Sequence, residues 1–354
     1  MTPHERILAI LERRPADRIP VDVWLTPEVL AALKERLGEA DELALYTKLG
    51  LDKIVWVFPG YGEGQYDPNR SEGERSLWGV PTKEMKAGTA TYIEHGEPPL
   101  GNMEDPAELE DYPHWPDPDR FDYKGAKELA LAARRHGFAT IGPWISHLEV
   151  YCQMRGLENA LMDVAAEPEF LDAAVARIDR IQTAMLDRLM DELGDLLDIV
   201  FISDDLGTQE SLLLSVDAWK RHFESLLRGW CERIHARGKK VLFHTDGAAR
   251  PFIPHLLNAG VDILNPIQHR CPGMDRAALK RDFGDRCIFH GGVENQEVLP
   301  FGSVEDVRRE TQTCLETLGA DGQGYILSSC HNIQAGTPLD NVLGMIETAR
   351  EWRT

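Results

Sequence analysis

Ile199-Val200-Phe201-Ile202-Ser203-Asp204-Asp205 runs apolar and then stops on a polar cluster. Three later stretches repeat that shape. They are Val241-Leu242-Phe243-His244-Thr245-Asp246-Gly247, Cys287-Ile288-Phe289-His290-Gly291-Gly292 and Tyr325-Ile326-Leu327-Ser328-Ser329-Cys330-His331. Apolar runs this short, without alternation, read as parallel strands buried on both faces. Amphipathic helical patterns separate them, as repeated strand–helix units require. In such folds the reactive groups stand at the C-terminal ends of the strands, where this chain places its histidines and acids.

Working outward, the same reading covers the whole chain. A helix over 4–13 leads into a first strand, Arg18–Trp24. Thr26, Pro27 and Gly38 mark the start and end of the next helix. Strands two to eight fall near 52–59, 138–144, 198–204, 240–246, 262–266, 287–290 and 324–330. Helices fall near 124–136, 147–163, 168–193, 215–237, 250–260, 276–283, 303–318 and 339–352, with Pro168 after Glu167 opening a fresh helix. The expected fold is one α/β domain over 1–354, a (β/α)8 TIM barrel. Residues 60–123, rich in Gly, Pro and acids, read as a long insertion capping the barrel mouth.

Composition narrows the function. The chain has 354 residues, 59 acidic against 38 basic, and a formal net charge of −21. That balance argues against nucleic acid and against an anionic membrane surface, both of which need basic patches. Six scattered cysteines without a C-x-x-C pair fit a reduced compartment. Met1–Arg6 lacks the apolar core of a signal peptide, and no run reaches transmembrane length, so the cytoplasm is expected. There is no G-x-S-x-G elbow, P-loop, H-E-x-x-H or G-x-G-x-x-G, so nucleotide cofactors are not indicated.

His244 and Asp246 are two residues apart at the end of the fifth strand, a spacing that puts both side chains on one face. His331 ends the eighth strand. Two imidazoles and a carboxylate form a three-ligand set for a divalent metal with open positions for water or substrate. The competing reading has the histidines bonding core groups and Asp246 capping a helix. His290 precedes Gly291-Gly292, which allow close backbone approach to a substrate or simply make a tight turn. Asp204 and Asp205 end the fourth strand, as a base or as a helix cap. Glu149, near His147 after the third strand, reads as a solvated helix residue, with reach into the barrel mouth as the alternative. Asn332 and Gln334 follow His331 and would contact a polar substrate, although turn chemistry explains them as well.

Longer blocks carry a resemblance. They are E-R-I-L-A-I-L-E-R-R-P-A-D-R-I-P-V at 5–21, Trp78-Gly79-Val80, Tyr112-Pro113 through Trp115-Pro116, and Asp204-Asp205-Leu206-Gly207. F-H-T-D-G at 243–247, Gly260–Pro266, F-H-G-G-V at 289–293 and H-N-I-Q-A-G-T-P-L-D-N-V at 331–342 complete the set. The chain resembles the uroporphyrinogen decarboxylase superfamily nearly end to end, which implies a single (β/α)8 barrel. It lacks the R-Q-A-G-R-Y block with which true decarboxylases grip porphyrinogen carboxylates; Val23-Trp24-Leu25-Thr26-Pro27 stands there instead.

The resemblance is rather to the zinc methyltransferases of the superfamily, which work with corrinoid proteins. Those hold zinc through H-x-C after strand five and a cysteine after strand eight. Here His244 keeps the first position, Asp246 replaces the cysteine, and counting back from Thr337-Pro338 puts the last ligand at His331 rather than Cys330. The resemblance thus implies a methyltransferase or demethylase of a small methoxy substrate, with a corrinoid protein or a pterin as methyl acceptor. His244, Asp246 and His331 would hold the metal, zinc first, with iron, manganese or no metal at all as alternatives. His290 or Asp205 would move a proton, and Trp24, Trp56 and Trp144 would line an apolar pocket. Two other readings stay open: a metal-assisted decarboxylase or lyase of a small acid, and a non-catalytic corrinoid- or small-molecule-binding protein. Barrel relatives often form homodimers, but no exposed stripe marks such a contact here.

Overall fold

In the computed structural model, residues 1–62, 75–87, 90–166 and 168–352 are described. Seven parallel strands form one curled sheet in chain order: Ile54–Trp56, Ala139–Ile145, Ile199–Ser203, Lys240–His244, Ile263–Asn265, Ile288–Val293 and Tyr325–Ser329. Almost every residue of these strands is buried, which is why they read as continuous apolar runs rather than alternating ones. Burying a side chain the size of Phe201 or Ile263 contributes about 1.5–3 kcal/mol, so this sheet and its helices dominate the core.

The expected first strand is not a regular strand. Arg18–Trp24 makes a single parallel bridge, Val21 to Leu327. Asp22 N donates to Leu327 O (2.9 Å) and Leu327 N to Pro20 O (3.0 Å), while Asp52 N donates to Val21 O (2.8 Å). The segment therefore bonds to the last strand on one side and to the residues leading into Ile54–Trp56 on the other. Pro20 has no N–H to donate, and that limits the ladder here.

The helices follow the expected order, with finer divisions. The 147–163 pattern splits at Gly156 into Leu148–Arg155 and Leu157–Ala166, and the 215–237 pattern into Val216–His222 and Glu224–His235. Glu42–Leu49, capped by Asp41, is a helix the periodicity did not mark. Glu167 lies outside the described residues, and the long helix Pro168–Leu193 follows it. Among the described residues, no helix is long and apolar enough to cross a membrane.

The N-terminal edge of the sheet is tied by a repeated device. Asp52, Asp198 and Asp262 each stand just before a strand. Each accepts the N–H of a residue on the preceding segment: Val21 (3.0 Å), Thr140 (2.8 Å) and Val241 (2.8 Å). Each also meets bases: Arg6 and Arg18, His4 and Arg134, His235 and Lys240. The D-R-I-P-V block belongs to this girdle, since Arg6 also binds Asp17 and holds its carboxyl well below the usual range.

At the opposite edge, Gly60–Tyr61 pairs antiparallel with Phe121–Asp122 and closes the neck of the insertion. The described part of that insertion holds a hairpin, Thr82–Ala87 with Ala90–His95. Its two motif blocks pack together, because Tyr112 Oη donates to Trp78 O (2.7 Å) and Trp115 lies edge-on to Trp78. It docks on the helix that follows Ala139–Ile145: Arg155 donates to Leu100 O (2.6 Å) and Met103 O (2.7 Å). Residues 63–74 and 88–89, also part of the expected cap, lie outside the described residues.

Candidate metal centre

His244 is the last residue of its strand, and the chain then turns sharply. Thr245 N donates to Asn265 O (2.8 Å), and Leu206 N donates to Thr245 Oγ1 (2.9 Å). Gly247 sits at φ +80, where a Cβ would meet Thr208 O at 2.3 Å, so only glycine permits this turn. Asp205 Oδ1 accepts the Asp246 N–H at 2.9 Å, which fixes Asp246 from below.

The turn brings His244, Asp246 and His331 together, with one ligand atom from each within 4.8 Å of the others. His244 Nε2 lies 3.7 Å from Asp246 Oδ1, and the two imidazole rings are 5.6 Å apart. Asp246 Oδ1 is buried and has no hydrogen-bond partner. A buried carboxylate oxygen left without a donor is costly, and here it faces two imidazole nitrogens. Burial raises the Asp246 carboxyl, and burial together with neighbouring His244 lowers the His331 imidazole. A cation among the three would satisfy the oxygen and favour the deprotonated form of both groups, so the residues present fit a divalent metal.

Cys330, the neighbour of His331, points elsewhere. It is buried, its thiol donates to Ile267 O at 3.1 Å, and burial raises its pKa well above the usual thiol range. Of the two neighbours, it is His331 that lies with His244 and Asp246.

Beside the trio stands a group of acids. Glu149 was expected on a solvated helix face, but the structure corrects this. It is partly buried, accepts from Ser203 Oγ (2.9 Å), and is pushed up to about 8 by burial and by the charges of Asp205, Asp204 and Asp246. Its side chain meets Ser203 on the neighbouring strand, a contact between distant segments that no local pattern encodes. Asp204 is bound by Ser146 Oγ (2.6 Å) and by Glu149 N (2.9 Å), so it caps the Leu148–Arg155 helix from the neighbouring strand.

The pattern of the uroporphyrinogen decarboxylase (URO-D) family matches residues 83–352. The chain belongs to the uroporphyrinogen decarboxylase family. A methyltransferase from Methanosarcina mazei has a similar structure, with a TM-score of 0.71 at 17% sequence identity, covering 99% of each chain. A sugar phosphate isomerase/epimerase from Parabacteroides distasonis scores 0.45 at 10% identity, covering 95% of this chain and 96% of that one. No curated protein matches the chain in sequence.

In this member of the uroporphyrinogen decarboxylase family the aromatic expectations divide. Trp24 and Trp56 meet at 5.5 Å, and Phe201 lies 6.0 Å from Trp24 and 4.7 Å from Trp56. Trp24 and Phe201 reach to 6.1 and 5.7 Å from His244, and Phe58 stacks on Trp56. Trp144 is not part of this wall. It lines a small separate cavity with Leu77, Trp78, Phe121, Ile181, Gln182 and Met185. The register against Ile199–Ser203 shifts between Ile141 and Trp144, so one extra residue intervenes before Trp144.

His290 is 1% exposed and makes hydrogen bonds through both ring nitrogens, to Asn265 and to Asp22. It lies beneath the trio, inside the sheet. Gly291 and Gly292 have φ +110 and +103 and face Ser329, Leu318 and Tyr325, so they serve backbone geometry. Asn332 and Gln334 follow the site in a partly buried turn, where Gln334 Nε2 donates to Asn332 O at 3.2 Å. The residues not singled out from sequence are Asn265, Asp22 and Lys53. Asn265 carried a usable signal: like His244, it is a polar residue ending a buried apolar strand.

Proposed function

We propose that this protein is a metal-dependent transferase that acts on an oxygen-bearing small molecule. The reaction is methyl transfer from a methylated, methoxy-type substrate to a corrinoid protein or a pterin. One observation carries the reading: the unpartnered, buried Asp246 Oδ1 faces His244 and His331 beside an aromatic wall. In this reading the Arg18–Trp24 segment completes a closed (β/α)8 barrel over 1–354, with 60–123 as its cap.

His244, Asp246 and His331 would hold the metal, with zinc as the first expectation. The cation would polarise the substrate oxygen and lower the pKa of a bound hydroxyl or water. Carboxylate and imidazole are harder donors than the thiolates of the family's zinc methyltransferases, which favours oxygen over a thiol as the activated group. Trp24, Trp56, Phe58 and Phe201 would keep the methyl-bearing part of the substrate dry. Asp205, fixed by the Asp246 N–H, would exchange a proton with the substrate oxygen. The acids nearby have hydroxyls, backbone N–H groups and imidazoles as partners. That setting opposes a carboxylate substrate and sets methyl transfer ahead of a decarboxylase or lyase.

The test follows methyl transfer from candidate methoxy compounds to a corrinoid acceptor while metal content is measured on the same protein. A His244→Ala, His331→Ala double variant is expected to lose metal and activity together. Unchanged activity in that variant refutes the metal mechanism. Tight corrinoid binding by a protein that neither holds metal nor moves a methyl group supports the binding-protein alternative.

A further inference from the structure

Beneath the trio, a string of buried polar groups crosses the interior of the sheet. His244 Nδ1 lies 2.6 Å from Asn265 Oδ1, and Asn265 Nδ2 lies 2.7 Å from His290 Nδ1. His290 Nε2 lies 3.1 Å from Asp22 Oδ2, and Lys53 Nζ donates to Asp22 Oδ1 at 2.7 Å. Asp22 is fully buried and accepts twice more, from Trp24 Nε1 (3.0 Å) and Ile54 N (3.2 Å). Five separate segments contribute to the string, and Trp24 covers both imidazoles, at 5.2 Å from His290 and 6.1 Å from His244.

The direction of the string is fixed by chemistry. Asn265 Nδ2 also lies 3.3 Å from His290 O, and only a donor satisfies a carbonyl oxygen. The amide nitrogen therefore faces His290, and the amide oxygen faces His244. Asn265 Oδ1 accepts, so His244 Nδ1 carries the hydrogen. His290 Nδ1 accepts from Asn265, so His290 carries its hydrogen on Nε2 and donates it to Asp22. Every link then has one donor and one acceptor, and the two histidines hold opposite tautomers.

We infer that Asn265, His290, Asp22 and Lys53 are positioning residues: they lock His244 as the Nδ1–H tautomer and present its Nε2 lone pair to Asp246 and His331. The consequence for metal binding rests on the metal reading above, whereas the tautomer does not. A ligand histidine whose other nitrogen is held by a fixed acceptor is pre-aimed and need not reorganise on binding. A string that served only to satisfy buried polar groups would have no reason to leave His244 Nε2 as the free nitrogen, 3.7 Å from an unpartnered carboxylate oxygen.

The test is a long-range 1H–15N spectrum of the full-length, metal-free protein labelled at histidine. His244→Gln and His290→Gln assign the signals by their loss. The expected result is a proton on Nδ1 of His244 and on Nε2 of His290. Asn265→Leu should abolish the His244 preference and weaken cobalt(II) affinity by about 10–100-fold. Asn265→Asp keeps the acceptor, and should keep both the His244 tautomer and the cobalt(II) affinity. A wild-type His244 protonated on Nε2 overturns the inference. So does an Asn265→Leu variant that leaves tautomer and affinity unchanged, or an Asn265→Asp variant that loses the tautomer. If Asn265→Leu does not fold, the wild-type and Asn265→Asp spectra still decide. A wild-type protein that shows the two tautomers yet binds no cobalt(II) sinks the metal reading and leaves the string standing.

Discussion

The two edges of the sheet use the same residue type in opposite ways. At the N-terminal edge, Asp52, Asp198 and Asp262 each accept a neighbouring backbone N–H and meet at least one base. At the C-terminal edge, Asp204, Asp205, Asp246 and Glu149 crowd one another, and Asp246 Oδ1 has no donor at all. Fully partnered carboxylates hold strands in register. Crowded ones with a free oxygen cost stability and gain only when something else binds. The contrast separates scaffold from site within one domain.

The comparison breaks most visibly at Asp52. Asp52→Ala leaves Arg6 and Arg18 without their buried partner, and should lower unfolding free energy by about 3–5 kcal/mol in a urea melt. An effect below 1 kcal/mol would mean that this edge is not the scaffold described.

Asp246→Asn should behave in the opposite sense. It removes a charge that burial disfavours, and whose Oδ1 has no donor, from an acid cluster, so the metal-free protein should gain about 0.5–2 kcal/mol in the same melt. A loss comparable to that of Asp52→Ala would place Asp246 among the structural acids.

Glu149 gives the most pH-dependent effect. Its carboxyl is raised from 4.5 to about 8, chiefly by burial. Below 4.5 both folded and unfolded chains keep the proton, and wild type and Glu149→Gln should be equally stable. As pH rises from 4.5 through 8, the unfolded chain ionises freely while the folded one resists, so wild type loses stability relative to the variant. Melts at pH 4.5, 6.5 and 8.5 should show the gap opening with pH. A gap that is constant or closes with pH contradicts the assignment.

Much of this was legible in the chain because buried parallel strands announce themselves. The runs ending at Ser203, His244 and Ser329 gave both the sheet and the edge on which polar residues gather. His244 and Asp246 followed from spacing, and His331 from its place in the last block. What escaped depended on contacts between distant segments. Asn265 and His290 meet only through the pairing of their strands, and Asp22 and Lys53 only through the bonds that Val21 makes on both sides. Glu149 meets Ser203 on a strand far away in sequence, and Trp144 stands after one extra residue in its strand. The first strand was overread because an apolar run does not reveal a missing ladder.

The most direct measurement is a calorimetric titration of zinc into metal-free wild-type protein and its Asp246→Asn variant. The account predicts one zinc per chain for wild type, with binding lost in a variant that remains folded. A wild-type chain that takes up no zinc, or an Asp246→Asn variant that binds it equally well, would contradict it.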